Sequence, residues 1–220
     1  MSSDMKLKHW QRGKDMTTRE RILEESLTLF SRKGYKGTSI KNIADAVGIK
    51  DSSLYKHFQS KREIFDTIVL NMWERMEYLS EEIGLPNEKD ISEEAEIYGD
   101  LSLEGLLSLS EKTFHFYLTD DFVSRFWRVA NIEQYQNPEI YEIFWRIFME
   151  ESLAYQTQLF AVMLEKGIFK EGNPQAMAMS FYAPIFFLFS KYNGMEEKED
   201  EAQEVLRRQV EEFYRIYRQG

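Results

Sequence analysis

Residues 38–61 read TSIKNIADAVGIKDSSLYKHFQSK, and this stretch decides the fold of the N-terminal part of the chain. Its first half spaces apolar residues as one face of a short helix: Ile40, Ile43, Ala44 and Val47. Gly48 then permits a tight bend, and the segment from Ser52 to Phe58 has the length of a second short helix, capped by Asp51 or Ser52. Two short helices joined in this way predict a helix-turn-helix.

Side chains of the second helix fall into an inward and an outward set. Ile49, Leu54 and Phe58 are apolar and would hold this helix against the first. The outward set carries hydroxyl, ammonium and imidazole groups, on Ser52, Ser53, Tyr55, Lys56 and His57. Such groups bind phosphates and base edges in the grooves of DNA. The outward set therefore predicts a nucleic-acid interface.

Helices are also predicted on both sides of this motif. A capping box of Thr17 and Glu20 begins a helix that Gly34 ends, and a second box, of Ser60 and Glu63, begins a long helix. The chain then divides into four parts. They are a basic, loosely ordered arm over residues 1–16, a helix-turn-helix domain over 17–62, a connecting helix over 63–86 and a helical body over 87–220, in which 87–99 reads as an acidic linker.

Composition favours helices in the body as well. The 220 residues include 11 Gly and 4 Pro, too few for the turns of a many-stranded sheet. Helical spacing and first-turn prolines at Pro138 and Pro174 predict body helices over residues 103–118, 121–135, 138–166, 174–192 and 199–218. The predicted fold class is all-α, with a three-helix N-terminal domain joined by a long helix to a C-terminal helical bundle.

Charge is divided unevenly along the chain. Residues 1–62 hold 14 Lys and Arg against 7 Asp and Glu, or +7, whereas residues 63–220 hold 14 against 31, or −17. A basic head on an acidic body indicates a polyanion as the partner of the head. The chain has no cysteine, which excludes disulfides and thiolate sites, and its three histidines are scattered. We therefore predict neither a metal site nor a cofactor.

Neither secretion nor membrane insertion is predicted. The first thirty residues lack the apolar core of a secretory signal. The longest apolar stretch, residues 176–190, contains Pro184 and is shorter than the roughly 20 residues that a spanning helix needs. We expect a cytoplasmic protein without a membrane partner.

Three segments together resemble the DNA-binding domain of the TetR family of bacterial transcriptional regulators: residues 38–44 (TSIKNIA), 47–49 (VGI) and 54–61 (LYKHFQSK). Nearly every position of the family's motif is matched. The resemblance implies a homodimer of all-α subunits that represses transcription from a near-palindromic stretch of double-stranded DNA. A small-molecule effector would bind the body, residues 87–220, which would also form the dimer, and would release the DNA.

The resemblance also assigns phosphate contacts. Tyr55 and His57 stand at the family's Tyr and His positions and would hydrogen-bond to phosphates. Lys61 would bring a cation and free backbone N–H groups to a phosphate. Thr38 would cap the first helix of the motif beside the DNA backbone, and Lys41 would reach a base or a phosphate.

The candidates for base contact are Ser52, Ser53 and Lys56. Bidentate recognition of guanine or adenine uses Arg, Asn or Gln, and no Arg or Gln is among the outward residues. Sequence preference is therefore expected to depend in part on DNA shape.

Aromatic residues are more abundant in the body than its packing requires. Together with Met177 and Met179 they predict a pocket for an apolar or aromatic effector. The candidate lining residues are Phe126, Trp127, Trp145, Phe148 and Tyr182, with Glu133 or Arg128 as the polar partner of the ligand. The long helix would transmit effector binding to the head through Trp73 and Met76.

Two body segments predict a dimer interface. Residues 199–218 carry an apolar stripe, and the run around Pro184 is apolar on nearly all sides, which leaves more apolar surface than one bundle can cover. The predicted interface residues are Phe187, Val205, Leu206, Val210, Phe213 and Tyr217. Paired with their symmetry mates, the two helices would form a four-helix bundle.

Two other classes of function are weighed against a ligand-controlled regulator. One is an architectural or protein-binding module that derives from such regulators and has no small ligand. The other is a helical-bundle enzyme, which the sequence disfavours because no group of His, Cys or Ser residues converges as catalysis would need. We therefore expect a protein that is not an enzyme.

Overall fold

The structure is a computed structural model that describes residues 16–82 and 91–218. Within these ranges the regular structure is helical, and an isolated antiparallel bridge between Phe169 and Arg218 is its single extended pairing. The prediction of an all-α protein is confirmed. The predicted basic arm, up to residue 15, and the first part of the predicted linker, residues 87–90, lie outside the described residues.

The helices are numbered here in chain order. The N-terminal ones are α1 (Thr18–Lys33), α2 (Ile40–Val47), α3 (Asp51–Leu54) and α4 (Lys61–Glu82). They are followed by α5 (Ile91–Asp100), α6 (Leu103–Thr119), α7 (Asp121–Glu133) and α8 (Pro138–Trp145). A π-helical segment (Arg146–Glu150) leads into α9 (Glu151–Glu165), and then come α10 (Pro174–Tyr192), a 3-10 turn (Glu196–Lys198) and α11 (Glu199–Tyr217).

The chain forms two compact units whose bounds differ from the predicted domains. The first unit comprises the described residues up to Tyr78 together with Arg125–Tyr141, and the second comprises Leu79–Ser124 and the chain from Glu142 onward. The sequence gives no sign that residues 125–141 belong with the head. Contacts such as the hydrogen bond between Tyr35 and Glu133 join residues 98 positions apart, and they leave no local pattern.

The first unit is built on the apolar faces of α1 to α4. Its core includes Ile22, Leu27, Phe30, Ile43, Leu54, Ile64 and Phe65, all of them almost without exposed surface. The rings of Phe30, Tyr35 and Phe65 pack edge-on or tilted, with centroids 5.4 to 6.3 Å apart. Burial of each such side chain stabilises the fold by roughly 2 to 3 kcal/mol, which fixes the helix-turn-helix on α1 and α4.

Capping side chains decide where α1 and α2 begin. The predicted box at the start of α1 is confirmed, since the N–H of Glu20 donates to Thr17 Oγ1 at 3.3 Å and the N–H of Thr17 donates to the Glu20 carboxylate at 2.7 Å. At α2 the box is formed by Ser39 and Asn42. The prediction that Thr38 caps α2 is therefore wrong, because Ser39 holds the extended conformation of a cap.

The cap of α3 also differs from the prediction. Its N-cap is Lys50, which makes no side-chain capping hydrogen bond, and Asp51 already lies in the first turn. The prediction of a cap by Asp51 or Ser52 is wrong. The N–H groups of Ser53 and Leu54 instead donate to the carbonyl of Lys50, at 2.8 and 3.1 Å.

The core of the second unit joins α5, α9, α10 and α11. Its buried members are Ala95, Leu159, Phe160, Met163, Phe169, Met177, Ala178 and Phe213. Because Ala95 is part of this core and Ile91 and Tyr98 pack against it, residues 91–99 form a helix where the sequence predicted a linker. The predicted helix over 138–166 is likewise divided by the π-helical segment.

Three of the predicted dimer residues belong to the core of their own subunit. Leu206, Val210 and Phe213 on α11 are buried against neighbouring helices, so the prediction that they face a partner is wrong. Tyr217 is half-buried, and its ring lies 4.7 Å from that of Phe213. Val205 is half-buried and Phe187 is 63% exposed, so these two keep surface for a partner.

None of the helices in the described part of the chain has the length and apolar character needed to cross a membrane.

Candidate nucleic-acid interface

The bend between α2 and α3 is made by Gly48. This residue has φ +77° and ψ +36°, in the left-handed region that favours glycine, and its N–H caps the end of α2 through the carbonyls of Ala44 and Asp45. The N–H of Ile49 also donates to the carbonyl of Ala44, at 3.0 Å. The predicted helix-turn-helix is confirmed, with a shorter second helix than predicted.

Beyond this bend, apolar and polar residues separate as predicted. Leu54 and Phe58 are buried, and the guanidinium of Arg19 lies 4.5 Å from the centre of the Phe58 ring. Ser52, Tyr55, Lys56 and His57 are exposed, and Ser53 is half-buried. Tyr55 keeps 53% of its surface in solvent, so its hydroxyl is open to a partner. These side chains form one polar surface on α3 and the turn after it.

On α2, Lys41 is exposed beside this surface, whereas Thr38 points inward. Thr38 is 1% exposed, and its hydroxyl donates to the carbonyl of Gly34 at 2.9 Å. A phosphate could not reach that hydroxyl, so the predicted DNA contact by Thr38 is not supported. The exposed hydroxyl at this place is that of Ser39.

Lys61 is also directed into the protein. Its ammonium donates to the carbonyl of Tyr35 at 2.7 Å and to that of Thr38 at 2.8 Å, and it lies 4.2 Å from the centre of the Tyr35 ring. Burial lowers the pKa of this ammonium, and the negative charge of Glu133 opposes the shift. The cation thus binds the turn between α1 and α2, and its predicted phosphate contact is not supported.

The same turn is held from α7 by Glu133. Oε1 of Glu133 accepts a hydrogen bond from the N–H of Tyr35 at 2.7 Å, and the side chain has no exposed surface. Sequence reasoning assigned this acid to the effector as a polar partner, and the structure directs it to the head. Only the long-range contact identifies its place, because a single Glu near the end of an amphipathic helix has no distinguishing pattern.

Further polar contacts join the segment Arg125–Tyr141, called the clamp segment below, to the rest of the first unit. The guanidinium of Arg125 lies 3.0 Å from the Glu24 carboxylate and donates to the hydroxyl of Thr28 at 2.8 Å. Lys36 donates to the carbonyl of Gln136 at 3.2 Å, and Arg62 pairs with Glu139. The segment thereby holds α1, the following turn and the start of α4.

The five predicted effector residues do not share one unit. Phe126 and Trp127 are buried in the first unit, whereas Trp145, Phe148 and Tyr182 belong to the second. Trp145 is 42% exposed. The structure does bring Phe148 and Tyr182 together, since the Tyr182 hydroxyl donates to the carbonyl of Phe148 inside the π-helical segment. Burial raises the pKa of Tyr182 to about 12, and the Phe148 ring stacks on that of Phe189 with centroids 6.1 Å apart.

No group of three or more His, Asp or Glu side chains suited to a metal ion occurs among residues 16–82 and 91–218.

Residues 22–68 match the family model of bacterial regulatory proteins of the TetR family. A curated relative, the biofilm operon icaADBC HTH-type negative transcriptional regulator IcaR of Staphylococcus aureus (strain Newman), is 47% identical over 51 residues. The alignment covers 23% of this chain and 27% of the relative, so the chain matches about a quarter of that protein's length. The similarity in sequence is thus concentrated in the helix-turn-helix head.

Solved structures extend the likeness in fold to nearly the whole chain. A TetR-family transcriptional regulator from Mesorhizobium loti MAFF303099 superposes with a TM-score of 0.64 at 19% identity, covering 92% of this chain and 97% of the other. A transcriptional regulator from Saccharomonospora viridis in complex with choline gives 0.58 at 19% identity, with 91% and 98% covered. The chain thus matches the TetR family of bacterial regulatory proteins in the sequence of residues 22–68, and it shares the fold of these solved regulators over nearly its whole length.

Proposed function

We propose that this protein is a transcriptional repressor that binds double-stranded DNA as a homodimer and is released by a small-molecule effector. The observation that carries the proposal is the polar surface of α3 and the turn after it, where Ser52, Tyr55, Lys56 and His57 are exposed on a buried apolar support. This surface lies within the family-matched residues 22–68 of a head with a net charge of +7.

In this proposal α3 enters the major groove. Tyr55 and His57 hydrogen-bond to phosphates and set the register, while Lys41 adds a cation beside them. Ser52, Ser53 and Lys56 face the base edges. Three short or flexible side chains give little bidentate recognition, so the preferred sites should also share a groove shape or an ease of bending.

A homodimer would carry two such heads. The exposed surface of α10 supports this part of the proposal, because Phe187 and Met179 are large apolar side chains left in solvent by the subunit. Val205 and Tyr217, half-buried on α11, could extend the interface. Two-fold symmetry of the heads would match a near-palindromic operator.

The effector would bind in the second unit, in the cytoplasm. Support comes from the aromatic contacts of Phe148, which lies in the π-helical segment: its ring stacks on that of Phe189, which also packs on Tyr117, and its carbonyl accepts a hydrogen bond from Tyr182. Such π-helical segments are frequent at functional sites. The names of solved structures with this fold include a flavonoid-responsive regulator and a complex with triclosan. An apolar or aromatic compound is therefore the class to test first.

The DNA proposal is tested by selection from a pool of randomised duplexes, followed by binding measurements on the selected sequence. Lys56→Ala should weaken binding and change the preferred sequence if Lys56 reads bases. Lys112→Ala removes one exposed lysine from α6 in the second unit and is the matched control. Failure of the parent protein to enrich any duplex at low salt would refute the proposal.

The effector part is tested separately by thermal unfolding in the presence of aromatic and cationic compounds. A ligand that binds only the folded protein raises the transition temperature. A compound that does so should also release the selected duplex. If no compound raises the transition temperature or releases the duplex, the result favours the architectural or protein-binding module that has no small ligand.

A further inference from the structure

Glu133 occupies a position that costs stability. It is the last residue of α7, where the helix dipole disfavours a negative charge, and its side chain is fully buried. Oε1 is bonded to Tyr35, but Oε2 has no hydrogen-bond partner in the described part of the chain. A buried polar atom left unpaired destabilises the folded state. The contact with Tyr35 therefore calls for an explanation other than stability.

The backbone opposite this carboxylate leaves no room for a side chain. A Cβ on Gly34 would lie 2.5 Å from Oε1 of Glu133 and 2.9 Å from Cγ2 of Ile132. The φ of Gly34 is also +76°, a value that other residues rarely adopt. Both the space and the conformation therefore require glycine here, and the backbone of the turn packs directly against side chains of α7.

Two charged side chains bind the backbone of the turn between α1 and α2, one through carbonyl groups and the other through an N–H group. The ammonium of Lys61 binds the carbonyls of Tyr35 and Thr38, and the carboxylate of Glu133 binds the N–H of Tyr35. The turn leads directly into Ser39, the cap of α2. The placement of Tyr35 thus determines where α2 begins, and with it the direction of α3.

Other contacts of the clamp segment fix the chain path less strictly. The pair of Arg62 and Glu139 is solvent-exposed on both sides, and such pairs contribute little. Arg125 binds side-chain atoms of Glu24 and Thr28, and its contact with the Glu24 carbonyl, at 3.4 Å, is long and lies within α1. Glu133 differs because it is fully buried and bonds, at 2.7 Å, to a main-chain group of the turn itself.

We propose that Glu133 is a positioning residue for the DNA-binding head, acting through the N–H of Tyr35. It holds α2 and α3 in one orientation on α7 and touches no DNA itself. This inference rests on the DNA-binding function proposed above. A dimer with firmly held heads should accept one distance between half-sites, whereas loosely held heads should accept several.

The test uses the full-length protein, the selected duplex and duplexes whose half-site spacing is changed by one or two base pairs. Glu133→Met keeps the length of the side chain without an acceptor, and Glu133→Asp withdraws the carboxylate by one methylene. Glu133→Gln keeps an acceptor oxygen. Glu139→Gln, on an exposed residue of the same segment, is the control.

We expect the parent, Glu133→Gln and Glu139→Gln to lose about tenfold or more in affinity when the spacing changes. Glu133→Met and Glu133→Asp should bind all spacings within about threefold of one another. Glu133→Met leaves the N–H of Tyr35 without its acceptor and should melt below the parent, so circular dichroism first establishes that this variant is folded at the temperature of the binding measurements. A folded Met or Asp variant with the spacing profile of the parent would overturn the inference.

Amide hydrogen exchange at Tyr35 tests, in the absence of DNA, whether Glu133 holds this N–H group in place. The test compares two variants. Glu133→Gln should keep the protection of this amide, while Glu133→Asp should speed its exchange by about tenfold or more. Parent-like exchange in the Asp variant would refute the positioning role. If the parent enriches no duplex, the DNA-binding proposal fails, and the exchange result still stands on its own.

Discussion

The ammonium of Lys61 lies 4.2 Å from the centre of the Tyr35 ring and donates to the carbonyl of the same residue at 2.7 Å. A lysine that stacks on an aromatic face and caps a carbonyl is part of the support of the head. Exposed cations such as Lys56 and Lys41 are the ones available to phosphates. This division between a supporting lysine and the lysines that we propose to face DNA can be measured.

Lys61→Met should lower the free energy of unfolding by about 1 to 3 kcal/mol, because it leaves the carbonyls of Tyr35 and Thr38 without their donor. The slope of log affinity against log salt concentration should stay as in the parent. Lys56→Met should do the opposite, with unchanged stability and a slope smaller by about one. Denaturant unfolding and DNA titrations at several salt concentrations measure both quantities. If Lys61→Met instead reduces the salt slope and leaves the free energy of unfolding unchanged, Lys61 binds a phosphate as the sequence predicts.

Tyr55→Phe removes one hydroxyl from an exposed ring. Since that hydroxyl has no role in the core, the free energy of unfolding should change by less than about 0.5 kcal/mol. Affinity for the selected duplex should fall by about three- to tenfold if the hydroxyl binds a phosphate. Tyr135→Phe, on a tyrosine that is 90% exposed against 53% for Tyr55, is the control and should leave affinity unchanged. If Tyr55→Phe binds the selected duplex with the affinity of the parent, the Tyr55 hydroxyl does not contact DNA.

Exposed and buried members of the predicted dimer surface should respond differently to substitution. Phe187→Glu should yield a folded monomer, because it places a charge on an exposed apolar surface of α10. Leu206→Ala should instead destabilise the subunit by about 2 to 5 kcal/mol, as core truncations do. Sedimentation at micromolar concentration and thermal unfolding separate the two effects. A Phe187→Glu protein that remains dimeric would place the interface elsewhere.

Alkaline pH should weaken the second unit. Burial raises the pKa of both Tyr98 and Tyr182 to about 12, above the usual 10.0. Between these values the unfolded chain loses protons that the folded chain keeps, so stability that is complete below pH 10 should decline toward pH 12, by roughly 2 kcal/mol per tyrosine. Unfolding measured at a series of pH values, with Tyr182→Phe for comparison, tests this. A parent whose stability is constant from pH 10 to 12 would contradict it.

Local patterns were enough to predict the helix-turn-helix. Gly48, the apolar face of α2 and the buried Leu54 and Phe58 lie within twenty residues of one another, and each acts through its nearest neighbours in sequence. The cap of α2 was misplaced by one residue because Thr38 and Ser39 carry the same kind of hydroxyl. Thr38 points inward because its hydroxyl donates a hydrogen bond to the carbonyl of Gly34, and the hydroxyl of Ser39 is then the one that caps α2.

The spacing of apolar residues along a helix was less informative, because it does not show which surface covers the apolar face. The stripe on α11 correctly predicts a buried face, but a stripe looks the same whether it packs on its own subunit or on a symmetry mate. Leu206 and Val210 were therefore assigned to the wrong neighbour. The aromatic residues of the body raised the same ambiguity, and their binding of an effector stays a prediction, as does transmission through Trp73 and Met76.

The union of the head with residues 125–141 also has a consequence for the order in which the protein is made. On the ribosome α1 to α3 emerge well before α7, so the N–H of Tyr35 has no access to Glu133 while the intervening residues are synthesised. At the usual pace of translation this interval lasts roughly several seconds. A fragment ending after α4 would lack the contact of Glu133 with the turn after α1. The first unit of this chain is therefore not one continuous stretch of sequence that could be cut out or grafted whole.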